Sequence, residues 1–107
     1  MSEIKHITGK EFETTISSNK LVLVDFYATW CPPCKMLAPV LEELQDEFKE
    51  VTIVKIDVDA NGNEELVKKF RVMSIPTLVM FKDGEEKETQ LGFKDIGFLT
   101  SMIKKYL

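Results

Sequence analysis

Leu21-Val22-Leu23-Val24-Asp25-Phe26-Tyr27-Ala28 is apolar at odd and even positions alike, Asp25 excepted. A strand apolar on both sides belongs in the interior of a sheet that helices cover on either face. Thr29-Trp30-Cys31-Pro32-Pro33-Cys34 follows at once, and then Leu37, Leu41, Leu44 and Phe48 recur at steps of 4, 3 and 4, with Met36 and Val40 alongside. That spacing predicts an amphipathic helix from Pro33 to about Lys49. Pro39 lies inside it, where it removes one backbone bond and predicts a kink rather than a stop.

Outward from this segment the same alternation continues. Ser2 to Ile7 reads as a short edge strand, and Thr8-Gly9-Lys10-Glu11 has the spacing of a capping box that opens a helix to about Ser17. Val51 to Val58 reads as a second inner strand, Glu64 to Phe70 as a short helix, and Thr77 to Phe81 as a third strand. Asp83-Gly84 marks a hairpin turn into a more polar strand near Lys87 to Leu91. Ile96, Leu99, Met102, Ile103 and Tyr106 form a closing helical stripe. The order predicts an α/β fold with a central mixed sheet flanked by helices on both faces. With no linker or repeat in 107 residues, one domain over 1–107 is expected.

Composition narrows the function. Hydrophobic residues make up 44% and charged residues 30%, enough apolar side chains for a core. The net charge of −4 offers no attraction to phosphate backbones, so nucleic acid is not an expected partner. The longest uninterrupted apolar run, Leu21 to Val24, is far below the ~20 residues that cross a bilayer, and the start lacks a charged-then-apolar leader. A cytoplasmic monomer away from membranes is the expectation.

Only Cys31 and Cys34 are present. A staple across so short a loop removes little unfolded-state entropy, so a chemical purpose is the better reading. If the helix begins just after Cys31, that residue is its N-cap, Pro32 and Pro33 follow, and Cys34 turns into the apolar stripe. Cys31 then sits at the exposed positive end of the helix dipole, where a thiolate is stabilised. Residues three apart at a helix start are close enough to bridge. The competing readings are a structural disulfide and half of a metal site. Zinc usually takes four nitrogen or sulfur ligands, and His6, the single histidine, is remote on an edge strand, so a metal would have to bridge two chains. Redox chemistry is favoured by a C-x-x-C beside a βαβ pattern.

The run Asp25-Phe26-Tyr27-Ala28-Thr29-Trp30-Cys31-Pro32-Pro33-Cys34-Lys35-Met36 closely resembles the active-site segment of the thioredoxin family. Ser74-Ile75-Pro76-Thr77 is similar to its second hallmark, and the likeness extends through Lys55-Ile56-Asp57, Lys82-Asp83-Gly84 and Gly92. The resemblance implies a protein-disulfide reductase that binds no cofactor, in which Cys31 attacks, Cys34 resolves and Pro76 is a cis proline facing the pair. It also implies an NADPH-dependent flavoprotein thioredoxin reductase as recharging partner, with ribonucleotide reductase, peroxiredoxins or methionine sulfoxide reductases as clients. An oxidase or isomerase, or a rigid subunit of a larger assembly, are the other functions such a chain can serve. Pro32 stands where the family usually has Gly, and Tyr27 where a first Trp is common. With Pro32 and Pro33 both lacking an amide hydrogen, a Cys31 thiolate keeps chiefly the Cys34 N–H as helix-start donor.

Five further residues are read two ways. Asp25 is either a buried carboxylate with a raised pKa or a strand-end charge turned to water; the resemblance implies the former, with proton exchange at the resolving cysteine. Lys55 alone reads as a solvated charge, and the resemblance makes it the neighbour of Asp25. Trp30 is either core or, just before a helix start, a docking surface, the reading preferred here. Ile75 and Gly92 are ordinary by themselves; the family places them in the substrate groove, with backbone at residue 75 pairing to an extended client segment. Most methionines and phenylalanines read as core, and Glu42-Glu43 and Asp46-Glu47 as solvated helix faces.

Overall fold

In a computed structural model, which describes residues 3–107, the elements run β1 (Lys5–His6), α1 (Gly9–Ser18), β2 (Leu21–Tyr27), α2 (Pro32–Glu47), β3 (Val51–Asp57), α3 (Glu64–Lys69), β4 (Thr77–Lys82), β5 (Glu85–Leu91) and α4 (Ile96–Tyr106). The five strands lie in the order β1-β3-β2-β4-β5. β1 and β2 each pair with β3 in parallel, while β4 runs antiparallel to both β2 and β5. The sheet is therefore mixed, with β2 in the middle, where its two apolar faces require it to be.

Alternation along β2 divides the core. Leu21 and Leu23 join Leu37, Leu41 and Leu44 of α2 and Leu99, Met102 and Ile103 of α4 on one face. Val22, Val24 and Phe26 join Phe12 and Ile16 of α1 and Leu66 of α3 on the other. All seven residues of β2 are buried, so a register slip of one residue would exchange the side chains packed against the two helix layers. Asp25, at an odd position, falls on the α2 side.

Local signals set the boundaries. Thr8 N–H and hydroxyl both donate to the Glu11 carboxylate at the start of α1, at 2.9 and 2.6 Å. Asp83 and Gly84 have φ of 52° and 81°, the two consecutive positive values that a tight hairpin of this hand requires. α2 continues through Pro39 and ends at Glu47, two residues before the expected Lys49. The first strand is shorter than expected: only Lys5 and His6 pair, against Val54 and Lys55, and Ser2 lies outside the described residues. Among the methionines and phenylalanines, most of which read as core, Met36, Met73, Phe93 and Phe98 lie on the surface.

The last helix is fastened to the edge of the sheet by one carboxylate. Glu88 on β5 accepts from Tyr106 Oη at 2.7 Å and Gln90 Nε2 at 2.7 Å, and pairs with Lys105 Nζ at 2.7 Å. The Lys105 contact first, then the Tyr106 hydroxyl, hold the Glu88 carboxyl down at about 2. Its folded pKa lies below its unfolded one, so this contribution is complete above pH ~4.5 and is lost as pH falls toward ~2. Glu88→Gln is expected to lower stability at pH 7 by on the order of 1–2 kcal/mol, partly exposed pairs being weak. Urea midpoints at pH 7 and pH 2.5 check this: the gap between variant and parent should narrow at the lower pH.

Candidate active site

The chain leaves β2 at Tyr27 and reaches the start of α2 within four residues. Cys31 is the N-cap, with extended φ and ψ of −92° and 112°, and Pro32, Pro33 and Cys34 are the first three helical positions. Proline is tolerated there because the first amides of a helix have no partner within it. The amide that remains, Cys34 N–H, donates to Cys31 Sγ at 3.2 Å, while Lys35 N–H makes the first helical bond to the Cys31 carbonyl at 3.1 Å. The two sulfurs are joined as a disulfide, with Cα atoms 5.2 Å apart.

The pair packs with Tyr27 and Ala28, and Val58 and Ile75 lean on the cluster. Each cysteine is only 2% exposed, which corrects the expectation of an open Cys31. The turn before β4 explains the cover. Ile75–Pro76 is a cis peptide, and the Ile75 carbonyl oxygen lies 3.8 Å from Cys31 Sγ. Gly92 N–H donates to the Pro76 carbonyl at 2.8 Å, from a φ of 82° that a side chain would strain. Trp30 is 65% exposed beside the disulfide, so it is not core, and its indole N–H donates to Asp59 Oδ2 at 2.7 Å. Asp59 was not singled out in the sequence, because the bond spans 29 residues and joins two loops.

Asp25 is fully buried, and neither carboxylate oxygen has a hydrogen-bond partner. Burial pushes its pKa up to about 7, against a smaller opposing pull from the Lys55 ammonium. Lys55 stands directly across from Asp25 in the β2–β3 register, which explains that pull. Its Nζ lies 4.3 Å from the centre of the Tyr27 ring, a cation–π contact rather than a solvated charge. The Tyr27 hydroxyl is 3.0 Å from His6 Nδ1, another pairing that sequence separation concealed. Among the described residues, no cluster of three or more His, Cys, Asp or Glu side chains is arranged to hold a metal, and no helix is long and apolar enough to cross a membrane.

A cysteine pair joined across the first turn of a helix, with a cis proline beside it at the end of a mixed sheet, defines a thiol–disulfide oxidoreductase. The thioredoxin family model matches residues 3–105. The chain is 48% identical over 103 residues to thioredoxin of Chlamydia pneumoniae, covering 96% of this chain and 98% of that one. It is 51% identical over 105 residues to thioredoxin of Listeria monocytogenes, covering 97% and 99%. A mutant thioredoxin from Halobacterium salinarum superposes with a TM-score of 0.90 at 41% identity, over 97% of this chain and 90% of that one. The chain belongs to the thioredoxin family, and it is a protein-disulfide oxidoreductase working by dithiol–disulfide exchange.

The buried carboxyl predicts a pH effect on stability. Its folded pKa is above its unfolded one, so between pH ~4 and ~7 the folded state holds a proton that the unfolded chain has released. Stability then falls with rising pH across that window and is level above it. At 1.36 kcal/mol per unit, the loss is on the order of 4 kcal/mol. In Asp25→Asn this decline should vanish, so the variant gains on the parent from pH 4 to pH 8 in urea unfolding. Parallel curves for the two proteins would show that Asp25 ionises as easily folded as unfolded.

Proposed function

We propose that this chain is a general protein-disulfide reductase whose turnover begins at Cys31 and is completed by Cys34, with Asp25 taking the proton. The observation that carries this is the disulfide at the first turn of α2. Cys31 is the N-cap, bonded by an N–H and next to the Ile75 carbonyl, whereas Cys34 lies in the buried stripe of the helix.

In the reduced protein, the Cys31 thiolate attacks one sulfur of a client disulfide. A Cys31–client disulfide forms and the other client sulfur leaves as a thiolate. Cys34 gives its proton to Asp25, attacks Cys31 Sγ and closes the internal disulfide, and the second client thiolate leaves and takes up a proton. Two electrons have passed to the client; its two thiolates are protonated by the proton that Asp25 took from Cys34 and by one from solvent, which leaves Asp25 ionised again. Asp25 suits this task because it lies on the α2 side of β2, and a pKa near 7 lets it accept and return a proton near neutrality.

Trp30, Ile75, Pro76 and Gly92 form the docking rim, the backbone of residue 75 pairing with an extended client segment. The backbone bond from Gly92 to Pro76 and the short gap from Ile75 to Cys31 support that role. Pro32 and Pro33 limit the amides available to the Cys31 thiolate, and Lys55 tunes Asp25. Family membership implies disulfide-bearing clients and a thioredoxin reductase in general. The particular partners proposed are an NADPH-dependent flavoprotein reductase and clients of the ribonucleotide reductase, peroxiredoxin and methionine sulfoxide reductase classes, met by a monomer in the cytoplasm without bound cofactor.

NADPH oxidation coupled through a thioredoxin reductase to a test protein disulfide examines the mechanism. Cys31→Ser should abolish turnover, and Cys34→Ser should accumulate a mixed disulfide through Cys31, visible by mass. Trapping through Cys34 instead would reverse the assigned order. Asp25→Asn should slow the resolving step about 10-fold or more at pH 7 and remove its rise with pH, while leaving client affinity nearly unchanged.

Pro32→Gly restores an amide at the helix start, which stabilises the thiolate and hence the reduced form. Its reduction potential is expected to become less negative, measured by equilibration with glutathione. A value that is unmoved or more negative would assign the larger effect of Pro32 to loop stiffness.

A further inference from the structure

His6, Lys55 and Asp25 occupy one row across three adjacent strands: His6 pairs with Lys55 in the β1–β3 ladder, and Lys55 with Asp25 in the β3–β2 ladder. Partners in register on neighbouring strands project to the same side of the sheet, here the side that α2 covers. Tyr27, two residues beyond Asp25 on that side, reaches back over the row. Its ring lies over the Lys55 ammonium and its hydroxyl meets His6 Nδ1 at 3.0 Å, the two rings standing edge to face at 5.6 Å and 89°. A single phenol thus touches both the lysine and the histidine.

We propose that Tyr27 and His6 are positioning residues for the proton transfer at Cys34: the imidazole fixes the phenol, and the phenol holds the Lys55 ammonium beside the Asp25 carboxyl. The inference rests on the role given to Asp25 above and extends it to residues that touch neither sulfur. Three observations support it. No ion pair within contact distance joins Lys55 to Asp25, whose oxygens have no hydrogen-bond partner, so the carboxylate is not what holds the ammonium in place. A lysine has four rotatable bonds in its stem, and without a partner its ammonium goes to water. The phenol oxygen is also within hydrogen-bond distance of His6 Nδ1, and burial, with the nearby Asp57 and Asp25 carboxylates, raises its pKa.

Charge around the carboxyl comes from few directions. β1 supplies His6, β3 supplies Lys55 and Asp57, β2 supplies Tyr27, and α2 brings Cys34. On β4 the partner of Asp25 is Leu78, which carries no charge. Lys55 is the cation opposite Asp25, and releasing it to solvent should raise the pKa of the carboxyl.

The test is a double-mutant cycle read at the carboxyl itself. The 13C shift of the Asp25 side chain is titrated in the reduced protein, so that the midpoint is read at the carboxyl. Tyr27→Leu should raise the Asp25 midpoint by about half a pH unit, Lys55→Met by at least as much, and the pair by no more than Lys55→Met alone. Tyr27→Phe, which keeps the core filled, and His6→Leu, at an exposed position on the edge strand, should each move the midpoint upward by a smaller amount. They carry the test if Tyr27→Leu does not fold. The pH profile of mixed-disulfide resolution should shift with the carboxyl midpoint in every variant.

An unmoved midpoint in Tyr27→Phe and His6→Leu, a downward shift, or equal shifts from Tyr27→Leu with and without Lys55 would overturn the proposal. Failure of the underlying role has a different signature. The carboxyl midpoint would move as expected while the resolution profile stayed fixed, and Asp25→Asn would keep the pH dependence of the parent.

Discussion

Burial of β2 on both faces is the constraint from which the rest of the molecule follows. A strand whose seven residues are all buried needs a ladder on each edge and a helix layer on each face, and the order β1-β3-β2-β4-β5 supplies them. Its parallel partner β3 is reached through α2, and its antiparallel partner β4 through a chain that passes α3 on the opposite face. The chain therefore leaves the middle of the sheet at Tyr27 and enters α2 at Pro32, so the N-cap falls at the end of the central strand. The Ile75–Pro76 turn arrives at the same end because β4 begins there, paired through Thr77 to Phe26. Two segments more than 40 residues apart in sequence meet at the disulfide for reasons of topology, with no dedicated contact needed to recruit them.

The same burial gives Asp25 its chemistry and its cost. A carboxyl at the centre of a sheet, without a hydrogen-bond partner, is held neutral until about pH 7 by the penalty of ionising away from water. Leucine at this position would match Leu21 and Leu23 on the same face. The stability forgone at neutral pH fits the proposed role of Asp25 in proton transfer, since proteins break the packing rule mainly where function requires it. Lys55, across from Asp25 in register, moderates that penalty without cancelling it, its pull being smaller than the effect of burial.

Much of this was legible in the sequence, and the remainder has a common reason. The unbroken apolar run announced β2, the capping box announced α1, Asp83-Gly84 announced the hairpin, and the 4-3-4 spacing announced α2. These are local signals, written within one turn or one strand. Resemblance supplied the cis proline, which no local pattern encodes. What neither showed depends on register between distant strands: the His6–Tyr27 contact, the ammonium above the phenol, and the indole bond to Asp59. The surface position of Met36, Met73, Phe93 and Phe98 was missed because an apolar residue type carries no information about whether a neighbour exists to cover it.

Those uncovered side chains bear on how rate is achieved. Thioredoxin's own attacking thiol is the standard example of a pKa lowered to ~7 from the ~8.5 of free cysteine. Such a drop raises the thiolate fraction at neutrality from roughly 3% to about 50%, while a Brønsted coefficient of ~0.45 lowers intrinsic nucleophilicity about 5-fold, leaving a net gain of only ~3-fold. Acidity alone is thus a small part of catalysis. The larger part has to come from holding a client disulfide in line with Cys31 and from keeping Cys34 one helical turn away, where its effective concentration is high. Here the neighbouring surface is apolar at Trp30 and, around the Ile75–Pro76 turn and Gly92, at Met73, Leu91 and Phe93. Apolar contact is non-directional and tolerates many sequences, whereas the backbone pairing proposed at residue 75 asks only for an extended segment. In that proposed docking mode the two together select for a disulfide in an accessible strand-like stretch and not for a particular side chain.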